Sequence, residues 1–152
     1  MSVAPAAERR DLPMRISART DYALRAVLEL AAAPDGSLVK AEDISRAHGI
    51  PIRFLLNILI ELRHAGIVDS QRGSVGGYRL ARPAGSITLA QVVRALSPTD
   101  GHGAQATAKR PPYAGAAAAL EDLWGRAYSS LETLLQTVTL ADVVSGGAQA
   151  PA

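Results

Sequence analysis

The sequence of 152 residues predicts a mainly α-helical fold with one small β-hairpin and a long helix towards the C-terminus. Three observations predict this fold class. Apolar residues recur with the α-helical period up to residue 64. Two short strand-like segments then enclose a glycine-rich turn, and a heptad-like apolar stripe follows residue 119. The length suits one domain with appended arms.

Three helices are expected in the N-terminal half, and each has recognisable end signals. A helix over Ser17–Ala33 can be capped by the hydroxyl of its first residue. A short helix over Lys40–His48 and a third over Pro51–His64 are followed by Gly49 and Gly66, which suit helix C-termini. The apolar residues expected to face the core are Ala23, Leu24, Val27, Leu28 and Ala31 in the first helix, Ile44 and Ala47 in the second, and Leu55, Ile58, Leu59 and Leu62 in the third.

A β-hairpin is predicted directly after the third helix. Ile67–Gln71 and Tyr78–Ala81 are the two strands, and the segment RGSVGG joins them. We expect Gly76 and Gly77 to turn the backbone with positive φ. Because these glycines join two strands and no Lys-Ser or Lys-Thr pair follows, the turn does not match the phosphate-binding loop of a nucleotide enzyme.

Three helices followed by a hairpin form a winged helix-turn-helix, in which the third helix enters the DNA major groove. Its exposed residues are then expected to be Ile52, Arg53, Leu56, Asn57 and Ile60. Arg53 can bind guanine and Asn57 adenine, or either can hold a phosphate. Leu56 and Ile60 can contact thymine methyl groups or pack inside the protein.

The predicted wing lies in the basic part of the chain. Residues 40–94 carry eight Lys and Arg against four acids, whereas residues 1–39 are neutral and residues 95–152 have a net charge of −2. This distribution suits a polyanionic partner such as double-stranded DNA. Arg72 could enter a narrow minor groove, and Ser74 could donate to a phosphate. A turn with a purely structural role is the alternative.

The C-terminal half is predicted to hold a fourth helix over Thr88–Leu96 and a dimerisation helix. One long helix cannot bury its apolar stripe within so small a domain, so we expect it to pair with a second copy. The alternative is that it packs back on its own domain. No internal repeat is evident. The stripe comprises Leu120, Leu123, Trp124, Ala127, Leu131, Leu134 and Leu135.

The expected division of the chain is a disordered N-terminal extension (1–13), the winged domain (14–97), a flexible loop (98–115), the dimerisation helix with a short terminal helix (116–145) and a disordered tail (146–152).

The composition excludes several classes of function. The chain has no cysteine, so disulfides, thiolate metal sites and cysteine-ligated iron–sulfur clusters cannot form. No apolar run is long enough for a membrane span, and the N-terminus lacks the apolar core of a signal peptide, so we expect a cytoplasmic protein. No catalytic triad, carboxylate pair or metal-ligand spacing stands out, so we expect neither an enzyme nor a cofactor.

Three segments of the chain resemble the Rrf2 (Rrf-two) family of bacterial transcription regulators, of the IscR-, NsrR- and CymR-like kind. The segments are MRISARTDYALRAVLELA, IPIRFLLNILIELRHAGIVDSQRGSVGGYRLARP and ITLAQVVRAL. The most specific feature is a wing of the form RG-x-x-GGY-x-L directly after L-x-x-AG-[IV]-V. The resemblance implies a dimeric winged helix that binds a pseudo-palindromic operator. The function that we expect is that of a sequence-specific regulator acting as a homodimer, and of a repressor in particular. It also implies that Met14 is the usual family start.

The resemblance assigns DNA contacts to three places: the start of the first helix, the recognition helix and the wing. The matching residues are Arg15, Ser17, Arg19 and Tyr22 in the first, Arg53 and Asn57 in the second, and Arg72, Gly73, Gly76, Gly77 and Tyr78 in the third. Two departures affect recognition. The family often has tyrosine where this chain has Phe54, and IscR-like members have an acid where it has Leu56. We therefore expect a different operator preference.

The resemblance also implies a sensor that this sequence lacks. Sensing members carry three cysteines before the long helix, whereas residues 98–119 here have none. His102 alone is a poor replacement for three thiolate ligands of a cluster. Regulation is therefore expected to come from a protein partner or from a small ligand near the aromatic residues Tyr113, Trp124 and Tyr128. The alternative for these three aromatic residues is that they belong to the dimer core. A winged helix that binds protein and no operator is the alternative function.

Overall fold

The computed structural model describes residues 16–96 and 112–146. It is mainly helical with one antiparallel hairpin, so the predicted fold class is confirmed. The elements are α1 (Ala18–Ala32), α2 (Ala41–His48), α3 (Ile52–His64), β1 (Val68–Gln71), β2 (Gly77–Leu80), α4 (Leu89–Ala95), α5 (Ala118–Thr137) and α6 (Leu140–Val144). The predicted N-terminal extension, most of the predicted flexible loop and nearly all of the predicted tail lie outside the described residues.

The predicted end signals of the first three helices are present. Ser17 is the N-cap of α1, and its hydroxyl accepts a hydrogen bond from the Thr20 amide at 3.0 Å. Gly49 ends α2 with a φ of +64°, a conformation that strains other residues. The inward placement of Ala47 was wrong: it is exposed, and Ala41 at the start of α2 is buried beside Ile44.

One apolar core joins α1, α2, α3 and the hairpin. α1 packs on α3, and α2 packs on α3 at the helix-turn-helix. The largest fully buried side chains of this core are Val27, Ile44, Ile50, Leu55, Ile58, Leu59, Leu62, Ile67, Val68, Ile87, Val92 and Leu140. Because four of them lie on one face of α3, the opposite face of that helix is directed outwards.

The hairpin is anchored to the segment before α2. Val68 pairs with Leu80 and Gln71 with Gly77 in the antiparallel register. Tyr78 in β2 also exchanges two backbone hydrogen bonds of 2.8 Å with Val39. β2 is therefore held on both edges, which fixes the wing relative to the helix-turn-helix.

A short internal repeat that was not predicted connects α4 and α6 to the core. TLAQVV begins α4 and TLADVV begins α6, and each starts with a threonine capping box. The first residues of α4 and α6 lie side by side. The Leu89 amide donates to the Val138 carbonyl at 3.0 Å, and the Leu140 amide donates to the Ile87 carbonyl at 2.9 Å. Since Leu140 is fully buried, α6 completes the core of the winged domain.

The long helix α5 packs on α4 and keeps an apolar side exposed. Arg94 of α4 forms an ion pair with Glu132 of α5. None of the 20 residues of α5 is buried, and Leu123 and Leu134 are 50% and 38% exposed. Packing on the same chain therefore leaves much of the predicted stripe uncovered. No helix in the described ranges has the length and hydropathy needed to cross a bilayer.

Candidate nucleic-acid interface

The outward face of α3 carries the residues that were expected there. Ile52, Arg53, Leu56, Asn57 and Ile60 are all exposed. Leu56 and Ile60 are 38% and 45% exposed, which excludes full burial of either residue within the chain. Arg53 and Asn57 are one helical turn apart, so both side chains project from the same face. This face combines one cation, one amide and three aliphatic side chains.

The wing tip is a tight turn whose glycines have distinct roles. The Gly76 amide donates to the Gly73 carbonyl at 2.9 Å and closes the turn. Gly73 and Gly77 have φ of +106° and +155°, whereas the positive φ expected for Gly76 was wrong. Gly76 is needed for space instead, because a Cβ there would lie 2.0 Å from the Gln71 carbonyl oxygen.

Gly77 and Tyr78 place the returning strand against the rest of the domain. A Cβ on Gly77 would lie 2.8 Å from the Val39 carbonyl oxygen, so the close strand contact requires glycine. The Tyr78 side chain is half-buried and packs against the core. The backbone of these two residues therefore supports the wing, and their predicted DNA contacts stay predictions.

A cleft of about 350 Å³ separates α3 from the wing, and cations surround it. Lys40 Nζ donates to the Ser74 carbonyl at 2.9 Å, which ties the wing tip to the start of α2. Arg63 Nη1 donates to Ser70 Oγ at 3.0 Å, which ties α3 to β1. Arg72 is exposed on the same cleft, and Glu42 is the one acid among the described lining residues. The cleft thus presents a positive surface between the predicted major-groove and minor-groove elements.

Lys40 and Arg63 were not singled out in the sequence. Lys40 precedes a helix and is 34 residues from Ser74 along the chain, so local patterning carries no sign of their contact. Their membership of the basic segment 40–94 was the available signal.

The residues predicted at the start of the first helix are engaged within the protein. The Ser17 hydroxyl caps α1, and Tyr22 packs against the core. Arg19 forms an ion pair with Glu61 of α3, in which each side chain is only 25% exposed. This pair orients α3 relative to α1. Arg15 lies outside the described residues, and the DNA contacts of all four residues stay predictions.

A second, more apolar groove of about 740 Å³ lies between α1, α4 and α5. Leu24, Val93, Leu131 and Leu135 line it together with Tyr128. Of the three aromatic residues near which a small ligand was expected to bind, Tyr128 lines this groove. Trp124 and Tyr113 are not among the lining residues.

The chain matches a protein family and several proteins of known sequence or structure. The family model Rrf2, described as an iron-dependent transcriptional regulator, matches residues 16–146. The protein named as an HTH-type transcriptional regulator, Rv1287 of Mycobacterium tuberculosis, is 41% identical over 133 residues, which are 88% of this chain and 83% of the relative. Among solved structures, T. potens IscR has a TM-score of 0.71 at 25% identity, covering 92% of this chain and 94% of that one. CymR, the global cysteine regulator of B. subtilis, has a TM-score of 0.68 at 26% identity, covering 86% and 96%.

The ligands for a thiolate-bound iron–sulfur cluster are missing from this chain. The whole sequence contains no cysteine, and such a cluster is held by cysteine thiolates. Over residues 16–96 and 112–146, no three His, Asp or Glu side chains converge into a potential metal site. The residues present therefore do not fit the cluster.

Proposed function

Because the chain belongs to the Rrf2 family of DNA-binding transcriptional regulators, we propose that it is a homodimeric repressor of a pseudo-palindromic operator. One observation carries this proposal: the outward face of α3 and the glycine-rich wing enclose a cleft lined by Lys40, Arg63 and Arg72. A polyanion with two grooves matches this arrangement of a helix, a wing and cations.

In this proposal α3 enters the major groove and the wing reaches the adjacent minor groove. The guanidinium of Arg53 pairs with guanine O6 and N7, and the Asn57 amide pairs with adenine. Arg72 enters the narrow minor groove, where the electrostatic potential is most negative. The Ser74 hydroxyl and the Gly73 amide donate to phosphates, and Lys40 supplies a further positive charge beside the wing tip.

The dimer forms through α5, whose apolar stripe is uncovered in one chain. A two-fold axis would bury Leu123 and Leu134 against the same helix of the second copy and would place two α3 helices on one face of DNA. Operator symmetry follows from this dimer symmetry. Since a thiolate-bound cluster cannot form, the proposed regulator responds in the cytoplasm to a protein partner or a small ligand.

The experiment is a footprint and gel-shift series with the purified chain on its own promoter region. We expect two protected half-sites about one helical turn apart, and a shift that survives competitor DNA but weakens with salt. Arg53→Ala should lose the specific shift, whereas Arg126→Ala, which removes the same charge from an exposed position on α5, should keep it. If no sequence gives a competitor-resistant shift, the proposal that the chain binds a specific operator is wrong. A reporter that increases when the regulator is removed would establish repression, and a decrease would refute it.

A further inference from the structure

The outward face of α3 contains three aliphatic residues, of which Ile52 is the first residue of the helix and Leu56 and Ile60 lie further along it. The polar contacts of Arg53 and Asn57 do not use this aliphatic pair, Leu56 and Ile60. We propose that Leu56 and Ile60 contact thymine C5-methyl groups in the major groove, and that each operator half-site therefore contains thymines at fixed positions beside the bases bound by Arg53 and Asn57. This inference rests on the proposed function, because it requires α3 to lie in the groove.

The geometry of α3 places the aliphatic pair among the polar residues. Leu56 and Ile60 are one turn apart, as are Arg53 and Asn57, so the two pairs form adjacent rows on one exposed face. Leu56 also lines the cleft beneath the wing. The two side chains retain 38% and 45% of their exposure, whereas Leu55 and Leu59 on the opposite face retain none.

The surrounding charges indicate what covers this aliphatic pair. Lys40, Arg63 and Arg72 border the same cleft, and one acid, Glu42, is among its described lining residues. A predominantly cationic border favours a polyanion over an apolar protein segment. Neither Leu nor Ile can form a hydrogen bond to a base edge. The thymine methyl is the apolar group that the major groove of unmodified DNA presents, so it is the base feature that these side chains can recognise.

Phe54 provides a matched comparison on the same helix. Its side chain is 59% exposed, more than that of Leu56 or Ile60. Two residues along α3 correspond to a rotation of about 200°, so Phe54 projects away from Leu56 and from the cleft. We therefore expect thymine contact from Leu56 and Ile60 because of their position on the outward face, and none from Phe54 despite its larger exposed area.

The test uses the tightest-binding duplex that the purified full chain selects from a random pool. Each thymine of one half-site is replaced singly by uracil, which removes the methyl group and keeps every hydrogen-bonding group. We expect one or two positions to lose about fourfold in affinity each, the value for one buried methyl-sized group, and the other thymines to show no change. Because the first comparison uses the unaltered protein, it does not depend on any variant folding.

The variants assign the effect to side chains. Leu56→Ala or Ile60→Ala should bind the thymine and uracil duplexes equally at the affected position, whereas Phe54→Ala should keep the fourfold difference. The inference is overturned if every uracil duplex binds like its thymine parent. It is also overturned if Leu56→Ala and Ile60→Ala both still bind the thymine duplex more tightly than the uracil duplex. If selection yields no preferred sequence, the proposed function and this inference both fail. A selected operator that tolerates uracil everywhere would remove only the thymine contact.

Discussion

Truncation of Leu123 to alanine tests the proposed dimer through the most exposed leucine of α5. Leu123 is 50% exposed in the single chain, on a helix whose 20 residues include no buried side chain. If α5 pairs with a second copy, the exposed half of this side chain becomes buried in the dimer. If α5 only packs on its own domain, the exposed half stays in water and truncation changes nothing about assembly.

The size of the effect follows from this exposure. Full burial of a leucine side chain is worth about 1.5–3 kcal/mol, so burial of the remaining half is worth about 0.8–1.5 kcal/mol per copy. A two-fold interface contains the residue twice, which gives about 1.5–3 kcal/mol per dimer. Leu123→Ala should therefore raise the dissociation constant of the dimer by about 10- to 150-fold.

Sedimentation velocity over a dilution series measures this dissociation constant directly. Asp122→Ala is the matched control, because the exposed Asp122 is adjacent in sequence and lies on the polar side of α5. It should leave the constant within about fivefold of the wild type, since substitutions at exposed positions change free energies by about 0.5 kcal/mol per copy and the dimer contains two copies. A wild-type chain that sediments as a monomer throughout, or equal constants for Leu123→Ala and wild type, would refute the reasoning.

Three further substitutions test the wing and the helices. Gly76→Ala should lower the free energy of unfolding by about 1–3 kcal/mol, because a Cβ 2.0 Å from the Gln71 carbonyl oxygen would open the turn that the hydrogen bond to Gly73 closes. It should also weaken DNA binding. Unchanged thermal unfolding and unchanged DNA binding would contradict the predicted clash. Gly125→Ala, a mid-helix position on α5 with open space around it, should raise the free energy of urea unfolding by about 0.5–1 kcal/mol, and a decrease would show an unseen contact. Arg72→Ala should weaken operator binding by about 1–3 kcal/mol in fluorescence anisotropy. An equal loss on random DNA would instead limit Arg72 to phosphate contact.

The elements of the winged domain were predictable where short-range chemistry determines them. The cap at Ser17 and the terminating glycine Gly49 act on neighbouring backbone groups, so sequence alone places the ends of these helices within about one residue. The second strand begins one residue earlier than expected, at Gly77. The pairing of Tyr78 with Val39 joins segments far apart in sequence, and local patterns carry no information about it.

The candidate site was predictable to a similar limit. The helical period alone placed Arg53, Leu56 and Asn57 on an outward face, because the fully apolar stripe of α3 fixes which side is buried. The ion pair of Arg19 with Glu61 was not foreseen, since it depends on how α1 crosses α3. Sequence therefore predicted which side chains of α3 face outwards better than it predicted which cations are engaged within the protein.

The route from α5 to α3 passes through the core, which constrains how any signal can alter DNA binding. α5 is fixed at its C-terminal end, where the Val138 carbonyl accepts from Leu89 and α6 inserts Leu140 into the core. The same core contains Leu59 on the inner face of α3. Close-packed cores do not deform gradually, so a change in the angle of α5 that displaces Leu140 would shift α3 as a body or disrupt this packing. A ligand or partner at the groove beside Tyr128 therefore has a physical path to the recognition helix that requires no iron–sulfur cluster.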